Sequence, residues 1–233
     1  MKQIDWDISP DTRPENISEM ALYPSLKKIL LQWEKDSFLK HCIMDGSFGT
    51  GKTTSARILA RLIDKDFIEH DCNSNGSKQE LLDLTKRMIT TNIFNPTGTR
   101  VLILDEFHDI NHQAQNVFKK FMEDYAYKCK VIICVNDYKN LSGAIKDRCV
   151  RLNFDVAKEN AKETDILMME HQDFKNKEEW VKELERCADI VAKKIGVKIT
   201  QKMKDEVRKD SSRLVSVRRY VSKLQMLYES SKK

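Results

Sequence analysis

Three of the chain's seven glycines, Gly46, Gly49 and Gly51, fall close together and lead straight into Lys52, Thr53 and Thr54. Backbone N–H groups converge on a polyphosphate only where no Cβ blocks the approach and positive φ is tolerated, which glycine permits. With Ser47, Phe48 and Thr50 the stretch completes the pattern G-x-x-x-x-G-K-[ST]. In that pattern Lys52 brings a point charge to the β- and γ-phosphates and Thr53 a hydroxyl to Mg2+, while the helix that follows turns its positive end to the anion. The chemistry is the binding of a nucleoside triphosphate with Mg2+.

A second set follows the apolar run 101–104, which ends in the paired carboxylates Asp105 and Glu106. Asp105 there can hold the Mg2+ shell, and Glu106 can orient and deprotonate a water for attack on the γ-phosphate. Asn136 closes another apolar run, 131–135. Its amide reads two ways, as a group that positions the attacking water or as plain turn chemistry.

The elements that must carry these residues follow from periodicity. The run 42–44 reads as a buried strand before the loop, and Thr54, Ala56, Ile58, Leu59 and Leu62 as the helix after it. Residues 1–20 hold two of the four prolines and read as mostly irregular, with Arg13 held extended by Pro14. Pro24 starts a helix with Leu26, Ile29, Leu30 and Trp33 as its apolar members. A short strand is expected at 66–70, a turn cluster at 72–77 and a helix at 78–90. Then come a helix at 113–127, with Val117, Phe118, Phe121, Met122 and Tyr125 on one face, and strands at 131–135 and 149–154. Strands alternating with helices predict an α/β fold with a parallel sheet, whose carboxyl edge is where ligands sit. After Phe154 there is no proline and one glycine, Gly196. Three helices fit there, 158–172, 177–195 and 199–229, the last broken near Ser211 and Ser212. The expected organisation is a nucleotide-binding domain over 1–154 and a small all-helical domain over 155–233.

Length and composition bound the rest. At 233 residues the chain can bury a substantial core. No window approaches a membrane span and the amino terminus lacks a signal-peptide core, so an intracellular, cytoplasmic location is expected. The six cysteines form no C-x-x-C pair and read as buried free thiols. The net charge of +5 is concentrated late, with eleven Lys/Arg against four Asp/Glu from Lys198 onward. That run fits a phosphate-rich partner and equally a solvated helix face.

Taken together, the phosphate loop, Asp105-Glu106, Asn136 and the stretch 144–149 resemble the AAA+ ATPases, and among them the small ATPase subunits of sliding-clamp loaders, of the replication factor C type and its T4-like phage counterpart. That group carries a Ser-Arg-Cys triplet with an arginine finger. Here the triplet is Asp147-Arg148-Cys149, so the Arg and Cys match and the Ser does not. Thr12-Arg13-Pro14 is similar to the family's Tyr-Arg-Pro, the stretch 114–125 to its central helix, and 217–225 to its sensor 2 helix, with Arg218 and Arg219 matching an Arg-Arg pair. The resemblance covers about residues 10–228.

It implies a P-loop AAA+ domain followed by a helical lid, and ATP hydrolysis completed by Arg148 acting on a neighbour's nucleotide. It also implies that Arg218 and Arg13 touch the bound nucleotide. The implied partners are other clamp-loader subunits, a sliding clamp and primer-template DNA, with Lys119, Lys120 and Lys86 or Arg87 as candidate DNA contacts that read equally as solvated side chains. Family members continue into a helical collar that these 233 residues do not contain, so the isolated chain is expected to be monomeric or weakly associating. Two rival readings remain. One is another AAA+ DNA-remodelling ATPase, such as a helicase loader or transposition regulator, against which the Arg148-Cys149 pair speaks. The other is a weakly hydrolysing, nucleotide-gated scaffold, against which intact Lys52, Thr53, Asp105 and Glu106 speak.

Overall fold

The computed structural model describes residues 5–6, 9–72, 78–90, 98–107, 110, 112–155, 177–210, 212, 214 and 216–232. They form two compact units, one made of Leu30–Gly46 and Lys52–Phe154, the other of Met1–Ile29, Ser47–Gly51 and Asp155–Lys233. The units therefore do not follow a single cut at residue 154. The amino-terminal segment and the loop segment Ser47–Gly51 group with the helical part.

The first unit is an α/β sheet. Five strands, β1 (Cys42–Asp45), β2 (Ile68–Asp71), β3 (Arg100–Asp105), β4 (Cys129–Val135) and β5 (Val150–Asn153), lie in the order β2-β3-β4-β1-β5. Every pairing is parallel. The three inner strands are apolar on both faces, as a sheet covered by helices requires; Val101 to Leu104 and Val131 to Cys134 are fully buried. At the edge, β2 alternates half-buried with exposed residues. The unit's helices are the part of α1 (Pro24–Asp36) from Leu30 on, α2 (Lys52–Ile63), α3 (Lys78–Thr90), α4 (His112–Asp124) and the single turn α5 (Gly143–Lys146). Phe118, Phe121 and Met122 of α4 join Leu81, Leu84 and Met88 of α3 in the core beneath β3 and β4.

The second unit packs α6 (Lys177–Lys194), α7 (Gln201–Arg208) and α8 (Val217–Ser230) around Trp180, Leu184, Val207, Leu214, Tyr220 and Leu224. Trp6 from the amino-terminal segment joins this core and its N–H donates to Gln225 Oε1 at 2.9 Å. Arg13 is extended as expected, at φ −64° and ψ 144°. Its carbonyl accepts from Lys194 Nζ at 2.8 Å.

Several boundaries move, each for a local reason. α4 stops at Asp124 rather than 127, because the N–H groups of Lys128 and Cys129 turn back to the carbonyl of Tyr125 and start β4 at Cys129. β2 lies at 68–71 rather than 66–70, since the Asp66 N–H is held by Asp64 Oδ1 in the turn ahead of it. Ile29 and Leu62 are 43% and 40% exposed; the buried faces are Leu26, Leu30 and Trp33 of α1 and Ile63 rather than Leu62 in α2. α7 ends at Arg208 and α8 begins at Val217, capped by the Ser216 hydroxyl, which accepts from the Arg219 N–H. The expected helix 158–172, the turn cluster beyond Cys72, the side chain of Val117 and Ser211 lie outside the described residues.

All six cysteines are free, five of them buried. Burial pushes the Cys72, Cys149 and Cys187 thiols up to about 12 and Cys129 to about 11, so these are core side chains rather than nucleophiles. Part of the late basic charge is paired inside its own unit. Lys204 pairs with Asp189, Arg208 with Glu185, and Lys209 with Glu206.

Candidate active site

The strand order decides which side chains meet. β1 ends at the phosphate loop, β3 ends at Asp105, and β4 lies between them. Asn136, the first residue after β4, therefore stands at the carboxyl edge between the two. Its Nδ2 donates to Glu106 Oε2 at 2.8 Å and its Oδ1 accepts from Lys52 Nζ at 3.0 Å. Lys52 is only 8% exposed and also donates to the Gly46 carbonyl at 2.5 Å. Beside this line Thr53 Oγ1 donates to Asp105 Oδ2 at 2.8 Å, and Asp105 Oδ1 accepts the Glu106 N–H at 3.0 Å. Five side chains from α2, β3 and the ends of β3 and β4 thus form one neighbourhood of direct hydrogen bonds. Sequence reasoning named all five, but left Asn136 open between turn and site. Chain order carries no signal for a bridge that depends on spatial strand order.

Glu106 adopts φ 54°, the left-handed region that a side-chain-bearing residue enters at a cost of about 1–3 kcal/mol. The turn is held by its N–H on Asp105 and its carboxylate on Asn136, and it aims the Glu106 side chain along the strand ends.

The loop itself has positive φ at Gly46 (145°), Gly49 (77°) and Gly51 (102°). In the helical unit, a Cβ at Gly49 would come within 2.8 Å of Arg218 Cβ, and one at Gly51 within 2.6 Å of Met20 Cε. Positive φ favours glycine at both, and at Gly49 space does as well, since the Arg218 Cβ cannot swing aside as the end of the Met20 side chain can. Arg218 is exposed, and its backbone opens α8 beside the loop segment. Thr50 is buried with its hydroxyl on the Ser47 carbonyl at 2.9 Å, and the Ser47 N–H donates to Asp155 Oδ1 at 2.6 Å, a contact that no local sequence pattern marks. Phe48 is 65% exposed at the loop tip, and Thr54 is half-buried in the first turn of α2.

A nucleoside triphosphate fits this chemistry. Lys52 is a largely buried cation whose contacts with Asn136 and the Gly46 carbonyl are neutral acceptors that phosphate oxygens can replace. The Thr53 hydroxyl and Asp105 carboxylate supply the hard oxygen donors that Mg2+ takes together with phosphate. Among the described residues no group of three or more His, Cys, Asp or Glu forms a protein-only metal cage.

Arg148 does not join the cluster. It precedes β5, at the amino edge of the sheet, and a four-residue strand separates that edge from the carboxyl edge by roughly 13 Å. Its guanidinium pairs with Glu123 of α4 and donates to the Ala144 carbonyl at 2.6 Å. The Arg148 side chain beside Glu123 holds that carboxyl below its usual range. Lys119 is half-buried and Lys120 exposed on α4, while Lys86 and Arg87 are exposed on α3.

Residues 42–159 match the family described as ATPase family associated with various cellular activities (AAA). The chain is similar to Replication factor C subunit 3 of Blastobotrys adeninivorans, 29% identical over 64% of this chain and 46% of that protein. Replication factor C small subunit of Methanococcus vannielii is 27% identical over 63% of this chain and 48% of the relative. A longer match, 23% identical, covers 93% of this chain and 76% of Replication factor C small subunit of Methanococcus maripaludis. The chain spans about half the length of the first two relatives. In fold it is similar to RuvB of Thermotoga maritima, described as a Holliday junction branch migration motor, at 17% identity and TM-score 0.60 over 94% of this chain and 72% of that one. A variant of that protein reaches TM-score 0.70 at 18% identity, over 94% of this chain and 66% of that one.

Proposed function

The chain belongs to the AAA family of ATPases, and from that premise we propose that it is an ATPase subunit of a sliding-clamp loader, hydrolysing ATP to place a clamp on primer-template DNA. The observation that carries the chemical half is the hydrogen-bonded line Lys52–Asn136–Glu106, with Thr53 on Asp105 beside it. The clamp-loader half rests on the similarity to replication factor C small subunits.

In this reading the loop 46–54 cradles the phosphates and Lys52 leaves the Gly46 carbonyl for the β- and γ-phosphate oxygens. Glu106 accepts a proton from the attacking water as the new P–O bond forms, the β–γ bridge breaks, and ADP and inorganic phosphate leave. Asn136 holds Glu106 and the water in line. Thr53 and Asp105 would hold Mg2+, which when bound neutralises charge on the β- and γ-phosphates. Arg148, at the amino edge, has its own nucleotide on the far side of the sheet and serves a neighbouring subunit's γ-phosphate after leaving Glu123. Arg218 and Arg13 contact the nucleotide. Lys119 and Lys120, with Lys86 or Arg87, contact the DNA backbone without reading sequence, so that binding weakens steeply with salt.

The test is complementation. Arg148→Ala and Glu106→Gln proteins, each inactive, should regain hydrolysis when mixed with each other, the clamp and co-subunits under conditions of assembly. Mixtures that stay inactive while wild type is active would remove the between-subunit role. Stimulation by primer-template DNA that is absent at low salt would remove the clamp-loader reading.

A further inference from the structure

β1 is fully buried through Met44, yet its last residue before the phosphate loop is a carboxylate, Asp45, 5% exposed. An acidic side chain there is unfavourable twice over. Burial strips it of water, and its charge lies next in sequence to the loop that must receive a polyanion. The fold answers with Arg151. In the parallel register Ile43 faces Arg151, so Arg151 lies on the same face as Asp45 and reaches it along the diagonal. Arg151 Nε donates to Asp45 Oδ1 at 2.9 Å and Nη2 to Oδ2 at 2.7 Å, taking both carboxylate oxygens in a two-pronged pair. The guanidinium carbon sits 4.2 Å from the Tyr138 ring centroid, and Lys146 Nζ lies over the same ring at 4.8 Å. Tyr138 follows Asn136 by two residues, so the pair is braced from the segment that carries the central amide of the active site.

We propose that Arg151 is a positioning residue for nucleotide binding: by neutralising Asp45 it removes a buried negative charge from the root of the phosphate loop and so sets the affinity for polyphosphate. The proposal rests on the reading of residues 46–54 as the ATP site. It assigns Arg151 no contact with the nucleotide. Its action runs through Asp45, whose uncompensated charge opposes phosphate binding whenever the arginine is missing.

The charge account has a signature that loss of packing lacks. Arg151→Gln should weaken ATP binding at least tenfold, measured by titration calorimetry on the full chain. Adding Asp45→Asn to that variant should restore affinity to within about threefold of wild type, because the unpaired charge is gone although the pair stays broken. Arg151→Lys should fall between wild type and Arg151→Gln. Asp45→Asn alone should bind ATP at least as tightly as wild type, and this variant decides the matter if Arg151→Gln does not fold. Wild-type affinity in Arg151→Gln, a double variant as weak as the single one, or weaker binding by Asp45→Asn would each overturn the proposal. Wild type that fails to bind ATP would instead overturn the nucleotide reading itself.

Discussion

The two edges of the sheet are both rich in poorly exposed polar side chains, and they spend them differently. At the amino edge Asp64, 1% exposed, accepts the Val101 N–H at 3.0 Å and pairs with Arg100, which in turn donates to the Asp66 carbonyl at 2.9 Å. His41 accepts the Val131 N–H on Nδ1 at 3.1 Å. These side chains finish the backbone where strands begin, as buried N–H groups demand. At the carboxyl edge Lys52, Thr53, Asp105, Glu106 and Asn136 bond largely to one another, through contacts that a phosphate, a cation and a water can replace. Contacts that finish the backbone and contacts that a ligand could replace thus lie at opposite ends of the strands. Damage to one edge should cost folding, and damage to the other turnover.

Arg148 is the hardest test of that division, because it belongs to the amino edge and yet is assigned to chemistry. Arg148→Ala should lower hydrolysis by a factor on the order of 10³ or more in the assembled state, with little change in melting temperature, since the Glu123 pair is exposed and surface pairs contribute little. Unchanged steady-state ATPase would return Arg148 to the structural side. Asp64→Ala should do the reverse. It strands Arg100 in the core, and denaturant unfolding should show a loss of about 3–5 kcal/mol while kcat per folded molecule holds. A kcat that drops with intact stability would break the division.

The smallest effect concerns His41. Burial, aided by nearby Lys130, lowers its pKa from 6.5 to about 4. The unfolded chain therefore takes up a proton from about pH 6.5 downward while the folded chain does so only near 4. Its contribution is complete above 6.5 and is lost progressively as pH falls toward 4. The fall in melting temperature across that window should be shallower in His41→Gln than in wild type. Parallel curves would show that His41 is not the group that titrates.

How much of this was legible in advance follows the same line. Local pattern was enough for the loop 46–54, the Asp105-Glu106 pair and the inner strands, because each depends on neighbours in sequence. Bonds that depend on strand order were not legible. Asn136 bridges Lys52 and Glu106 only because β4 lies between β1 and β3. The Asp64–Arg100 and Asp45–Arg151 pairs join residues far apart in the chain. Asp45 did leave a mark, a charged residue ending a run that is otherwise apolar, and such a residue demands a partner. Periodicity misjudged Ile29 and Leu62, which fit a helical stripe but sit one position off the covered face.

The claim on which the rest depends is that the carboxyl-edge cluster performs hydrolysis rather than only holding ATP, and Glu106→Gln tests it most directly. The variant keeps size and hydrogen bonding to Asn136 but cannot accept the proton. With ATP affinity and single-turnover hydrolysis measured side by side, affinity should stay within about threefold of wild type while the hydrolysis rate falls by a factor on the order of 10² to 10⁴. Hydrolysis at the wild-type rate would contradict the account.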